Sequence, residues 1–218
     1  MMPIRGSKTL VQCDFDGTVT EEDISFLILD AFANGKWRQL LAQYKAGEIS
    51  VGRFNTRAFT MVKEDEPTLK RFVKEVFKLR AGFHELLDYC RGKGYRLVIV
   101  SNGLDFYIKT ILETVGIDNI EVFAARARFS PDGVEARYLG PEGSELQDGF
   151  KETYIRHFIS QGYRVIYLGN GDSDIPSARL AKHVFATGQL FDYCQGTKLK
   201  YTPFTSFYEV VKGLELLG

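Results

Sequence analysis

Four short apolar runs punctuate the chain: residues 9–13 (TLVQC), 96–100 (RLVIV), 164–168 (RVIYL) and 183–186 (HVFA). Each is continuous rather than alternating and is bounded by Gly or polar residues, the pattern of a strand covered on both faces in a parallel sheet. Between them lie segments with helical spacing. Residues 83–91 (FHELLDYCR) stop at Gly92 and Gly94, 106–115 (FYIKTILETV) at Gly116, and 151–161 (KETYIRHFISQ) at Gly162. Helix followed by strand, repeated along the chain, predicts an α/β core built on a doubly wound parallel sheet.

Two stretches break that alternation. Residues 23–79 carry no strand pattern, only amphipathic segments such as 37–44 and 68–79, the latter opened by Pro67 where a first helical turn accepts it. An all-helical stretch of that length is too long for a simple crossover. It predicts a core of residues 1–22 and 80–218 carrying an inserted helical cap at 23–79. Further on, residues 123–129 and 134–139 flank Ser130-Pro131-Asp132-Gly133, a turn sequence, and predict a β-hairpin before the third helix.

Composition narrows the function classes. The chain has 218 residues, with 28 Lys and Arg against 28 Asp and Glu, and so no formal net charge. This length suits one domain, or one core with an insertion, and a globule of this size buries roughly 70% of its unfolded surface without needing a disulfide or structural metal. Neutrality argues against a dedicated nucleic-acid binder and against a polybasic membrane-surface protein. A hydrophobic fraction of 44% argues against disorder. Cys13, Cys90 and Cys194 show no CxxC spacing, so neither a disulfide framework nor a zinc ribbon is expected. The first eight residues lack an apolar leader core, and no run approaches the ~18 apolar residues of a membrane span, so a soluble, cytoplasmic protein is expected.

The candidate chemistry sits where the strands end. The first runs into Asp14-Phe15-Asp16-Gly17-Thr18-Val19-Thr20, two carboxylates at alternate positions followed by a glycine that permits a sharp departure. Ligands of open α/β sheets bind beyond the carboxyl ends of strands. The second strand ends at Ser101-Asn102-Gly103, a hydroxyl with neighbouring amides near a helix start, suited to an anion. Lys151 opens the helix before the third strand, which ends at Gly169-Asn170-Gly171-Asp172-Ser173-Asp174, an oxygen-rich turn of the kind that suits Mg²⁺. Each piece alone is an ordinary loop or surface residue. Their order along one sheet is far more specific than any member.

That order resembles the haloacid dehalogenase superfamily of phosphohydrolases over essentially the whole chain: DFDGTVT, VIVSNG, Lys151 and YLGNGDSD stand as its four motifs. The helical insertion resembles the C1 cap of the phosphoserine-phosphatase-like branch. Within it, DFDGTVT, the RAGF stretch at 80–83 and residues 174–193 look most like the 2-hydroxy-3-keto-5-methylthiopentenyl-1-phosphate phosphatases of methylthioribulose salvage. The resemblance implies an Mg²⁺-dependent phosphatase acting on a small phosphorylated metabolite. Asp14 is then the nucleophile and Asp16 the proton donor and base. Ser101, Asn102, Gly103 and Lys151 hold the phosphoryl oxygens. Mg²⁺ lies between Asp14, the Asp16 carbonyl and an oxygen of the fourth motif.

One departure concerns that last ligand. Many relatives carry Asp where this chain has Asn170, so Asp172 is the expected charged ligand, with Asn170 as the alternative or an additional contact. Asp174 is expected to orient metal waters or loop amides, with Thr18 in the same supporting layer. Substrate choice is assigned to the insert and its hinge, through Glu21, Arg53 and Arg57. Glu22 and Asp23 read as an acidic helix start, and Phe54 and Phe59 as core. His84, His157 and His183 show no ligand spacing. The competing readings are a phosphoserine phosphatase, a phosphomutase, or a catalytically weakened binding protein on the same fold. A signalling receiver domain has no helical insertion after its first strand.

Overall fold

A computed structural model describes residues 8–33 and 35–217. Residues 1–7, where the absence of a leader was expected and where the expected core begins, lie outside the described residues. Eight strands form one sheet in the order β5-β4-β3-β2-β1-β6-β7-β8. These are β1 (Thr9–Cys13), β2 (Arg96–Leu104), β3 (Glu121–Ser130), β4 (Gly133–Leu139), β5 (Glu145–Leu146), β6 (Arg164–Gly169), β7 (His183–Ala186) and β8 (Tyr201–Pro203). The six strands from β3 to β8 across β1 run parallel, and β4 and β5 are antiparallel at one edge.

β1 lies between β2 and β6, with Val11 opposite both Leu97 and Ile166, and all five of its residues are buried. A central strand has no solvent face, which is why its sequence is continuous rather than alternating. The hairpin predicted at 123–139 forms, but its first strand also joins the main sheet. β3 pairs parallel with β2 through Glu121–Ala125 and antiparallel with β4 from Arg126 onward. β2 likewise runs past residue 100 to Leu104, with an irregular register after Val100, so Ser101-Asn102-Gly103 is strand end rather than helix start.

Helices α1 (Ile24–Phe32), α2 (Trp37–Lys45), α3 (Val51–Phe59) and α4 (Glu66–Val76) make up the insertion after β1. Side-chain caps fix three of their starts. Asp23 accepts from the Phe26 amide, Ser50 from Arg53 and Asp65 from Thr68, each satisfying an amide with no partner inside its helix. The Asp65 cap, with Pro67 in the first turn, places α4 two residues earlier than the 68–79 pattern predicts. Leu79 instead bridges antiparallel to Thr20. The Glu21 and Arg80 amides donate to Lys78 and Val19 carbonyls at 2.9 Å each, so the chain leaves and re-enters the sheet through a short paired stalk.

The remaining helices are α5 (Phe83–Lys93), α6 (Asp105–Thr114), α7 (Phe150–Ser160), α8 (Ile175–Ala178), α9 (Gly188–Gln195) and α10 (Phe207–Leu217). α5 and α10 join through Phe83 and Phe207, whose ring centres lie 5.1 Å apart. Cys13, Cys90 and Cys194 are buried free thiols. Among the described residues no helix is long and apolar enough to cross a membrane.

Arg80 ties this frame to the loop after β1. Its guanidinium donates to the carbonyls of Thr18 and Gly17 at 2.8 Å each and of Thr205 at 3.0 Å. Removing a charged donor from three carbonyls at once, two of them in partly buried bonds, leaves acceptors that no single neighbour replaces. Arg80→Ala is therefore expected to lower unfolding free energy by about 2–3 kcal/mol, read from urea denaturation.

Candidate active site

The first carboxylate is delivered by the sheet itself. The Asp14 amide donates to Leu168 O at 2.9 Å, extending the β1–β6 ladder one residue beyond β1. The chain then turns sharply at Gly17, where φ is 72° and a Cβ would collide with the Asn170 amide. Positive φ and close approach together leave glycine as the residue that fits.

Asp14 is buried and its Oδ1 lies 2.7 Å from Lys151 Nζ. The same ammonium lies 2.6 Å from Asp174 Oδ1 and 3.3 Å from Ser173 Oγ. Asp174, fully buried, also accepts from Tyr167 Oη at 2.6 Å and from the Asn170 and Gly171 amides at 2.9 Å each. It thus holds the turn after β6 and the lysine in one network. Burial alone would lower the Lys151 pKa, but Asp14 and Asp174 raise it overall, so the side chain stays an ammonium. Burial first, then the Asp174 charge, pushes Asp14 up to about 7 against the pull of Lys151. One buried ammonium faces two carboxylates.

Asp16 accepts from the Ile24 amide through Oδ1 at 3.0 Å and from Tyr107 Oη through Oδ2 at 2.6 Å. Burial, then the neighbouring Asp23 charge, pushes its pKa up to about 7, while these two donors lower it. Asp23, the cap of α1, is raised to about 6 by burial, against the Phe26 amide it accepts from.

These groups line one cavity of about 240 Å³, small even for a ligand pocket. From the strand ends come Asp14, Asp16, Ser101, Asn102, Gly103, Asn170 and Asp172, and from the first turn of α7 Lys151; from the insertion come Phe26, Leu41, Tyr44, Lys45, Val51, Phe54 and Asn55. The structure thus gathers the four motif groups. Gly103 N donates to Ser101 Oγ at 3.0 Å, which leaves the serine proton free for another acceptor.

Three expected specificity residues do not reach this cavity. Glu21 is exposed on the stalk, and Arg53 and Arg57 line a groove between α3 and the β4–β5 edge. Side chains three and four apart share a helix face, and here the cavity side of α3 belongs to Val51, Phe54 and Asn55. Phe54 is both core, 2% exposed, and cavity wall. The acidic residue after the first motif that reaches the cavity is Asp23.

Sequence reasoning also passed over Asn55 and Tyr138. Asn55 Nδ2 donates to Asn102 O at 2.8 Å and to Tyr138 Oη at 2.9 Å, and Tyr138 Oη donates to the same carbonyl at 2.5 Å. The insertion is thereby fastened to the end of β2. Neither stands out in the sequence, since Asn55 is followed by the equally polar Thr56 and Arg57 and Tyr138 lies in an ordinary strand.

The donor set fits a hard cation. One amide position of Asn170 lies 3.0 Å from Asp16 O, 3.0 Å from Thr18 Oγ1 and 3.1 Å from Asp14 Oδ2. Nitrogen placed there donates to all three, whereas with oxygen there Thr18 Oγ1 donates to it at 3.0 Å and the Asp14 and Asp16 oxygens face it as acceptors. A carboxylate, a main-chain carbonyl and an amide oxygen that close form one side of an oxygen shell for Mg²⁺, which needs few carboxylates. Among the described residues no cluster of three or more His, Cys, Asp or Glu is placed to hold a metal; two of these three oxygens are not carboxylates. Asp172, expected as the charged ligand, lines the cavity but is exposed on its rim. The turn of φ at Gly17 and the Asp174 bonds to the loop amides bring Asn170, not Asp172, against Asp14. Asp174 orients loop amides, and Thr18 lies behind Asn170.

A sequence model of the haloacid dehalogenase-like hydrolases matches residues 11–179. The chain belongs to that family. It is 31% identical over 212 residues to a 2-hydroxy-3-keto-5-methylthiopentenyl-1-phosphate phosphatase of Geobacillus thermodenitrificans, covering 94% of each chain. It is 30% identical over 208 residues to one of an Exiguobacterium species, covering 93% of this chain and 95% of the relative. In structure it is similar to a substrate-bound phosphoserine phosphatase, with a TM-score of 0.72 at 16% identity, covering 95% of this chain and 99% of that one. That likeness shows a shared fold. The protein is by class a phosphoric monoester hydrolase.

The raised carboxyls predict a pH-dependent response to the cation. Asp14, Asp16 and Asp23 hold their protons more tightly folded than unfolded. Their contribution to stability is therefore present below the ordinary carboxylate range and falls as pH rises through about 7. A cation relieves that loss once the groups ionise. Mg²⁺ is expected to raise the denaturation midpoint more at about pH 8 than at about pH 5.5, measured by urea titration with and without the ion.

Proposed function

We propose that the protein hydrolyses a small-metabolite phosphomonoester through an aspartyl-phosphate on Asp14, with the helical insertion at 23–79 serving as a cap over the site. The observation that carries this reading is the convergence of Asp14, Asp16, the Ser101–Gly103 segment and Lys151 on one small cavity at the strand ends. Phosphoryl transfer is mostly positioning and electrostatics, so the surroundings matter as much as the nucleophile.

In the first step an Asp14 carboxylate oxygen forms a bond to phosphorus as the ester oxygen departs with its electron pair. Asp16 gives that oxygen a proton, which a carboxyl raised to about 7 still holds near neutral pH. In the second step Asp16 takes a proton from water, the water oxygen bonds to phosphorus, and the bond to Asp14 breaks to release phosphate. Lys151, 2.7 Å from Asp14 Oδ1, meets a phosphoryl oxygen beside the nucleophile and offsets the repulsion between two anions. The free Ser101 proton receives another phosphoryl oxygen. Bound Mg²⁺ would be held by Asp14, the Asp16 carbonyl and the Asn170 amide oxygen, and would neutralise charge on the transferring group.

The substrate proposed first is 2-hydroxy-3-keto-5-methylthiopentenyl-1-phosphate. Relatives of matching length carry that activity in their names. The wall formed by Phe26, Leu41, Tyr44, Val51 and Phe54 offers apolar and aromatic surface for a thioether tail. Phosphoserine is the second reading, favoured by Asp23 and Lys45, opposite charges on the same wall.

Asp14→Asn is expected to abolish phosphate release from p-nitrophenyl phosphate, with substantial turnover counting against the nucleophile. Asn170→Ala should raise the Mg²⁺ concentration for half-maximal activity about tenfold or more, and Asp172→Asn should change it far less, on the order of threefold at most. Comparing kcat/KM for the two metabolites tests the substrate; a tenfold preference for phosphoserine would make it the first reading instead.

A further inference from the structure

We infer that Tyr107 is the positioning residue for Asp16, and that Ser25 in the first turn of the insertion completes its hydrogen-bond chain. The inference rests on reading Asp16 as the proton donor of the reaction. Tyr107 lies in α6, and its ring sits against Phe15 and Phe106, with ring centres 6.4 and 5.4 Å away. It is fully buried. A phenylalanine would fill that space without bringing a hydroxyl out of water, and a buried tyrosine hydroxyl is tolerated when it has a partner. Its partners are Asp16 Oδ2 at 2.6 Å and Ser25 Oγ at 2.7 Å.

The approach is made possible by the last residues of β2. A Cβ on Gly103 would collide with Tyr107 Oη and come within 2.5 Å of Asp16 Oδ2. The tyrosine therefore reaches the carboxyl over a residue that has no side chain. Asp16 then carries one hydrogen bond on each oxygen, from the Ile24 amide and from Tyr107. Two such bonds fix the plane of a side chain that otherwise turns about two single bonds, while the group still lines the cavity. Ile24 N and Ser25 Oγ both belong to α1, whereas Tyr107 belongs to the core. The proton donor is thus held jointly by the two parts that enclose the cavity.

A departing alkoxide is far more basic than p-nitrophenolate and depends more on a well-aimed proton. The kcat/KM value covers steps through departure of the leaving group and excludes hydrolysis of the enzyme-bound phosphoryl group. Tyr107→Phe is expected to lower kcat/KM for n-butyl phosphate by about 10–100-fold, and that for p-nitrophenyl phosphate by about threefold at most. Ser25→Ala should shift the ratio in the same direction by about threefold. A merely structural role would lower both esters together, and an equal effect in Tyr107→Phe, or in Ser25→Ala should the first variant fail to fold, overturns the inference. Asp16→Asn separates the two levels. If it lowers both esters equally, the reading of Asp16 as proton donor fails. If it discriminates between them and Tyr107→Phe does not, that reading stands and the role assigned to Tyr107 falls.

Discussion

The site is organised around one buried ammonium. Lys151 reaches from the first turn of α7 to Asp14 at the end of β1 and to Asp174 in the turn after β6, at 2.7 and 2.6 Å. Taking three charges out of water costs several kcal/mol per ion and is repaid only when the remaining polar atoms are satisfied. Asp174 meets that condition with Tyr167 and two loop amides. Asp14 does not, because its second oxygen faces the Asn170 amide and the cavity. The shortfall lies where a cation and a phosphoryl group would enter. A network that is fully bonded at its base and incomplete at its tip is rigid and still receptive.

Position in the sheet explains why so many groups of one sign sit together. β1 lies between β2 and β6, so the residues just beyond these strands must crowd one another. The insertion closes the same end, contributing apolar side chains and groups that fasten it near the cavity, among them Asn55 and Ser25. The apolar lining of the cavity comes from the insertion and most of its polar lining from the sheet. In the proposed reaction the first half does the phosphorus chemistry and the second selects the rest of the substrate. Global neutrality of the chain coexists with this acidic centre because Asp14, Asp16, Asp23 and Asp172 line the cavity against Lys45 and Lys151, and the balancing cations lie elsewhere in the chain.

Much of the fold was legible because burial leaves a pattern. A strand covered on both faces is largely apolar along its whole length, so β1, β6 and β7 could be placed to within a residue. The all-helical character of residues 23–79 followed from the absence of such runs. β2 was read too short because Ser101, Asn102 and Gly103 are polar; they continue the strand while their chemistry faces the cavity. The double pairing of β3 left no mark, since a strand that changes neighbours midway looks like any other strand.

The motif residues and their order announced the chemistry, since carboxylate, hydroxyl and oxygen-rich turn each occur at a strand end, the lysine opens the helix before β6, and strand ends of a parallel sheet converge. Local composition carried that much, because it reflects what each position must be surrounded by. Which oxygen faces which was decided in three dimensions. Charge argued for Asp172 over Asn170, but the bend at Gly17 and the bonds to Asp174 bring the amide against Asp14. Arg53 and Arg57 were expected to set substrate choice, yet the rotation of α3 turns Phe54 and Asn55 toward the cavity. Tyr107 lies 91 residues from Asp16 along the chain and touches it only because α6 folds back over Gly103. Contacts of that kind depend on helix rotation and loop path, which are set by packing across the whole molecule and leave no local signature.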